Sequence, residues 1–172
     1  IVNAGEFGIA AGFDTSPEFF DITANPQYFE AIRPVVVNNV VNGAQRSGIT
    51  LWASRDALIA NNTVLDARGL DGYGAFSFGV PTQDWGEHHG RPANQNPRIL
   101  NNIFQATNGA ACAVIRHSNE DLSCANCGSG QTGLWGLIGA TGMDHNAFER
   151  VGGTCVFSDP RPGVGFPLDQ DT

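Results

Sequence analysis

Apolar residues along this chain fall in short runs broken by asparagine and glycine, and no segment keeps helical spacing over ten residues. Three Asn-Asn pairs sit inside such runs: Val37-Asn38-Asn39-Val40, Ala60-Asn61-Asn62-Thr63 and Leu100-Asn101-Asn102-Ile103. A degenerate fourth copy is Asp144-His145-Asn146-Ala147-Phe148. Each is followed by a small residue leading a second apolar run: Gly48-Ile49-Thr50-Leu51-Trp52, Ala75-Phe76-Ser77-Phe78, Ala111-Cys112-Ala113-Val114-Ile115 and Thr154-Cys155-Val156-Phe157. Gly8-Ile9-Ala10-Ala11 reads as the second half of an earlier copy.

The second asparagine of each copy stands at 39, 62, 102 and 146, which gives spacings of 23, 40 and 44. One 23-residue unit with insertions of 17 and 21 accounts for all three. Two short strands per unit, with asparagine fixed at one bend, describe a coil of a parallel β-solenoid. Each coil adds one strand spacing of about 4.8 Å along the axis. Asparagine tolerates the tight backbone of a bend, and its amide can bond the same amide in the coils above and below. The expectation is an all-β, single-domain chain over residues 1–172, with about four and a half coils and a column of Asn39, Asn62, Asn102 and Asn146. A β-sandwich with several asparagine turns is the alternative, and Phe19 to Ile32 has room for one short helix.

At this point the sequence resembles a known family. Ile99-Leu100-Asn101-Asn102-Ile103-Phe104, Asp144-His145-Asn146-Ala147-Phe148 and the closing Phe157-Ser158-Asp159-Pro160 look like coils of right-handed parallel β-helix proteins of the polysaccharide lyase and pectate-lyase-like superfamily. The resemblance implies the right-handed β-helix fold. The superfamily includes lyases, glycosidases, epimerases, tailspikes and adhesins, so activity has to come from the site.

All three insertions follow the second strand of their coil, at Phe13 to Ile32, Pro81 to Pro97 and Ser118 to Leu137. In a solenoid the same point in successive coils is one corner in space, so these loops pile along one edge, often the binding edge. That edge collects Trp52, Arg55 and Asp56, then Asp84, Trp85, Glu87, His88, His89 and Arg91, then Arg116, His117, Glu120 and Asp121. Loops are polar in any protein, but this mixture has a chemistry. Tryptophan stacks on a sugar ring, arginine pairs with carboxylates, and histidine titrates near neutrality.

A polysaccharide lyase needs a base for the proton beside a uronate carboxylate, and a cation to neutralise that carboxylate. His88, His89 or His117 fits the first role, and Arg91 or Arg116 the second. A glycosidase needs two opposed carboxylates, for which Asp84 or Glu87 with Glu120 or Asp121 are the candidates. Trp52, Arg55, Asp56, Trp85, Glu120 and Asp121 would contact substrate. The other class of reading is a non-catalytic solenoid, a structural or glycan-binding, adhesive segment of a larger surface protein.

The remaining features narrow the picture. Net charge is −8 and the nine cations are all arginine, so the general positive footprint of a nucleic-acid binder is missing. No apolar stretch approaches the roughly 20 residues that span a bilayer. No cofactor is expected; calcium needs clustered carboxylates, and no D-x-N-x-D run supplies them. Cys112 and Cys155 fall at equivalent second-strand positions and are candidates for a disulfide or for stacked thiols. Cys124 and Cys127 are placed either to close a small disulfide loop or, with His117 or His145, to hold zinc. An even cysteine count suits an exported, extracellular or cell-surface protein. The ends, Ile1-Val2-Asn3 and Pro167 to Thr172, carry no obvious cap. The expectation there is end-to-end or side-by-side association, unless the Phe19–Phe29 segment shields the first coil.

Overall fold

A computed structural model describes residues 1–13, 15–81, 92–118, 134–139, 142–159 and 161. The chain winds in circuits. The first contributes β1 (Ile9–Ala11) and β2 (Ala31–Ile32). The second contributes β3 (Val35–Val37), β4 (Val40–Asn42), β5 (Ile49–Trp52) and β6 (Ser54–Arg55). The third has β7 (Leu58–Ala60), β8 (Thr63–Ala67) and β9 (Gly74–Gly79). The fourth has β10 (Arg98–Leu100), β11 (Ile103–Ala106), β12 (Ala111–Ile115), β13 (His117–Ser118) and β14 (Leu134–Trp135). The last has β15 (Gly142–Asp144), β16 (Ala147–Arg150) and β17 (Phe157–Ser158).

Strands pair with their equivalents one circuit away, in parallel, to form three sheets. Sheet one runs β1-β5-β9-β12-β17, sheet two β3-β7-β10-β15 and sheet three β4-β8-β11-β16. The protein is therefore all-β with parallel sheets, an arrangement consistent with a solenoid. The pairing removes the β-sandwich alternative, because β3 with β7 and β4 with β8, on either side of Asn39 and Asn62, are parallel. The helical content of the described residues is two single 3-10 turns, one of them Pro17–Phe19 in the first insertion.

Two details correct the sequence reading. The asparagine pair does not border one strand; it divides two, so each circuit has three main strands. The chain also rejoins the body earlier than the insertion boundaries implied. β2 pairs with β6, Arg55 bridges Gln95, and Asn94 bridges Leu137, which makes a short fourth ladder at the corner after sheet one. Asn94 holds that corner. Its Oδ1 accepts from the backbone and hydroxyl of Ser54, both at 2.8 Å, and its Nδ2 donates to the carbonyls of Leu51 and Gly136.

The asparagine column forms as expected. Asn39 Nδ2 donates to Asn62 Oδ1 at 3.0 Å, Asn62 Nδ2 to Asn102 Oδ1 at 2.9 Å, and Asn102 Nδ2 to Asn146 Oδ1 at 2.8 Å. The backbone N–H groups of Asn39, Asn62 and Asn102 donate to those same oxygens. The other amide hydrogens reach the carbonyls of Val36, Ile59 and Ile99. Asn62, Asn102 and Asn146 are buried, so this full satisfaction is what makes an amide interior tolerable. The first residue of each pair has another task. Asn38, Asn61, Asn101 and His145 all take left-handed backbone, with φ of 58°, 55°, 55° and 54°.

Inward residues of all three sheets meet in one core, including Val36, Ile59, Ile99 and Met143 from sheet two and Val41, Val64 and Phe104 from sheet three. Sheet one supplies Ile49, Leu51, Phe76, Phe78 and Ile115. Phe76, Phe104 and Phe148 stack in series with centroids 5.3 Å apart. Cys112 and Cys155 form a disulfide with Cα atoms 5.6 Å apart. The pairing was anticipated, but the register was off by one. Ala113 pairs with Phe157, so Cys112 faces Val156, and Cys155 lies just before β17. The bond is compatible with an exported protein. Among the described residues, no helix is long and apolar enough to cross a membrane.

In the first insertion Tyr28 and Phe29 are buried while Phe19 stands exposed. The segment is fastened beside the second circuit. Glu30 N–H donates to Ala53 O at 2.9 Å, and the Arg55 guanidinium lies 4.9 Å from the Phe29 ring centroid.

Candidate functional site

Sheet one is covered on both sides. Alternation turns Ile49, Leu51, Phe76 and Phe78 inward and Thr50 and Ser77 outward, yet Thr50 and Ser77 are also buried. They satisfy themselves locally: Thr50 Oγ1 donates to Ser77 O at 3.1 Å, and Ser77 Oγ lies 2.6 Å from Ser47 Oγ and accepts from Gly74 N–H. Over this outer face lies an aromatic layer. Phe7 packs edge-on against Trp52 at 5.8 Å and Tyr73 at 5.1 Å, and Phe13 against Trp52 at 5.2 Å.

Trp52, expected as an open stacking face at the loop edge, is only 5% exposed. Register explains this. Trp52 pairs with Gly79, and a Cβ at Gly79 would come within 2.5 Å of the indole. The indole therefore lies flat over the glycine backbone and under Phe7 and Phe13, and its Nε1–H has no hydrogen-bond partner among the described residues. It is a packing residue of the layer rather than an open platform; Phe13, 45% exposed, is the accessible ring.

Two arginines complete the layer. Arg116 follows β12 next to the Trp52–Gly79 pair and runs back across the sheet. Its guanidinium is 4.1 Å from the Tyr73 centroid, and Nη1 donates to Asp71 O at 2.7 Å. Arg46 lies 5.7 Å from Phe7 and 5.8 Å from Tyr73, with Asp71 at 2.9 Å and Glu6 at 3.6 Å. Planar cations on aromatic faces are held in place while their edge N–H groups stay available. Beside Arg116, His117 is exposed and its ring stacks on Trp135 at 3.9 Å, positioned by the antiparallel pairing of β13 with β14.

Arg55 and Asp56 sit elsewhere, at the corner leading into sheet two. A groove of about 550 Å³ opens there, lined by Arg33, Val35, Asp56, Asn96, Pro97, Arg98 and Gly142. Arg55 Nε is 3.8 Å from Asp56 Oδ2, and Asn96 Nδ2 donates to Asp56 Oδ1 at 3.3 Å. The single loop edge read from the sequence is thus two places: the outer face of sheet one, with Arg116 and His117, and this corner, with Arg55 and Asp56.

The remaining expected site residues, Asp84, Trp85, Glu87, His88, His89, Arg91, Glu120 and Asp121, lie outside the described residues, as do Cys124 and Cys127 and the closing Pro167 to Thr172. Sequence reasoning missed Arg46, Tyr73 and Trp135 on the first face and Arg33, Asn96 and Arg98 in the groove. For the groove a signal existed in the sequence, since Arg33, Asp56 and Asn96 stand at matching points of the repeat. The wrong insertion boundaries hid it. The chain matches no protein-family model, no curated protein and no solved structure.

Proposed function

We propose that this chain is a right-handed parallel β-helix that takes an extracellular, uronate-containing polysaccharide across the outer face of sheet one, with lyase or epimerase chemistry. Handedness follows from the general rule that crossovers between parallel strands of one sheet turn to the right. The observation that carries the functional reading is Arg116 spread over Tyr73 with His117 as its neighbour in sequence. In this reading Arg116 neutralises a uronate carboxylate, Phe13 and Trp135 lie against sugar rings, and His117 removes the proton on the carbon beside that carboxylate. Breaking the adjacent C–O bond then leaves a carbon–carbon double bond, and the departing oxygen takes a proton; returning the proton to the opposite face instead would be epimerisation.

A second reading, a binding module without turnover, is favoured by the stack of His117 on Trp135, which covers one face of the imidazole. The test is incubation with polygalacturonate and alginate, following near-ultraviolet absorbance for unsaturated ends and inversion at C5 by NMR. The enzyme reading expects turnover that falls by about a hundredfold or more in Arg116→Ala and His117→Ala. Binding lost in Arg116→Ala without turnover selects the module, and neither binding nor turnover overturns both.

A further inference from the structure

The groove at the entry to sheet two is built from a column of bends. The short corner ladder places Arg33, Asp56, Asn96 and Gly139 at equivalent points of four circuits, and all four have left-handed backbone, with φ of 54°, 56°, 50° and 75°. Glycine adopts this freely and asparagine or aspartate tolerates it. Arginine has neither advantage, so Arg33 holds a strained backbone that presents its side chain at the rim. Two residues past the Asn96 bend, β10 opens with Arg98, also exposed and also at the rim. Neither guanidinium pairs with a carboxylate among the described residues, although the chain carries a net charge of −8. Asp56 lies between the two circuits that carry these arginines, already engaged by Asn96 and near Arg55.

We propose that this groove is a second, non-catalytic subsite for a linear glycan lying along the solenoid axis, with carboxylates facing it on every second sugar. The proposal rests on the polysaccharide reading above and adds where and how the polymer is held. Arg33 and Arg98 belong to circuits two apart, about 10 Å along the axis at the strand spacing of about 4.8 Å. One extended hexose is about as long as one strand spacing, so two carboxylates on sugars i and i+2 meet the two guanidiniums. The sugar between them meets Asp56, which repels a third carboxylate and accepts hydroxyl hydrogens, while the Asn96 amide donates. Planar forks suit carboxylates, and exposed arginines with no ion pair among the described residues lose none of those contacts on binding. Val35 and Pro97 supply the apolar floor on which a ring can rest.

Calorimetry with a hyaluronan hexasaccharide, whose glucuronates alternate with a neutral sugar, tests this at low ionic strength. Arg33→Ala/Arg98→Ala is expected to weaken binding about tenfold or more, whereas Arg68→Ala, an exposed arginine on another face, leaves it unchanged. The carboxyl-reduced hexasaccharide is expected to bind wild type no better than the glycan binds the double variant. Should the double variant fail to fold, Arg98→Gln on the exposed strand face reads the same contact, with a loss of several-fold. Equal losses in the Arg68 variant, or equal binding of a glutamate peptide of matched charge, would overturn the subsite in favour of unspecific attraction. Loss in Arg116→Ala alone would overturn it while leaving the polysaccharide function standing. Absence of binding by wild type to this glycan and to polygalacturonate would overturn both.

Discussion

Left-handed backbone recurs at every bend of the circuit, and two of the bends have put it to opposite uses. At the bend between sheets two and three the left-handed residue is Asn38, Asn61, Asn101 or His145, and the next residue is the asparagine of a buried amide column. At the bend into sheet two the left-handed residues are Arg33, Asp56, Asn96 and Gly139, different in every circuit, and the side chains of the first three line an open groove. The backbone demand is the same in both. What differs is where the side chain goes. An inward amide has its donors and acceptors fixed by the coils on either side, so only asparagine fits. An outward side chain is constrained by solvent and ligand alone, and the column is free to become charged and irregular.

The largest effect expected from this contrast is at the middle of the amide column. Asn102→Ala deprives the backbone and amide N–H groups of Asn62 of their acceptor, and Ile59 O and Asn146 Oδ1 of a donor. At about 1–3 kcal/mol per orphaned buried group, the loss should be about 4 kcal/mol in chemical denaturation. Asn39→Ala, at the half-buried end of the column, should cost about 1 kcal/mol; equal losses at the two positions would mean that the column does not act as a ladder. A reference outside both bends is the Cys112–Cys155 bond, which spans a separation of 43 residues. Its reduction, or Cys155→Ala with Cys112→Ala, should lower stability by about 3 kcal/mol while leaving the difference between Asn102 and Asn39 intact. The smallest effect is the most discriminating. Arg33→Gly relieves left-handed strain at the groove bend, so stability should hold or rise by up to about 1 kcal/mol while glycan binding falls. A destabilisation comparable to that of Asn102→Ala would show that the groove bend is as structural as the amide one.

The legibility of the sequence follows the same division. The column was readable because Asn39, Asn62 and Asn102 must bond one another, which forces the same residue to recur at 23 and 40 positions. Asn94 was not readable, although it is equally buried and equally bonded. It meets the hydroxyl of Ser54 and backbone carbonyls instead of another asparagine, so nothing in the neighbouring circuits repeats it. The near miss at Cys155 has a related cause: the run Thr154-Cys155-Val156-Phe157 fits the pattern of a strand at either of two starting points, and only the pairing of Ala113 with Phe157 selects one.

By itself, then, the sequence determined the circuit length, the parallel all-β architecture, the amide column and the partner of Cys112. Each of these is a contact between like positions of successive circuits, and such contacts leave a period in the chain. Tertiary structure alone decided that Trp52 lies buried over Gly79, that Arg116 crosses the sheet to Tyr73, and that Arg33, Asp56, Asn96 and Arg98 share one groove. Those arrangements depend on the direction in which unlike side chains leave the backbone and on what already occupies the space beside them, and neither is written in a spacing.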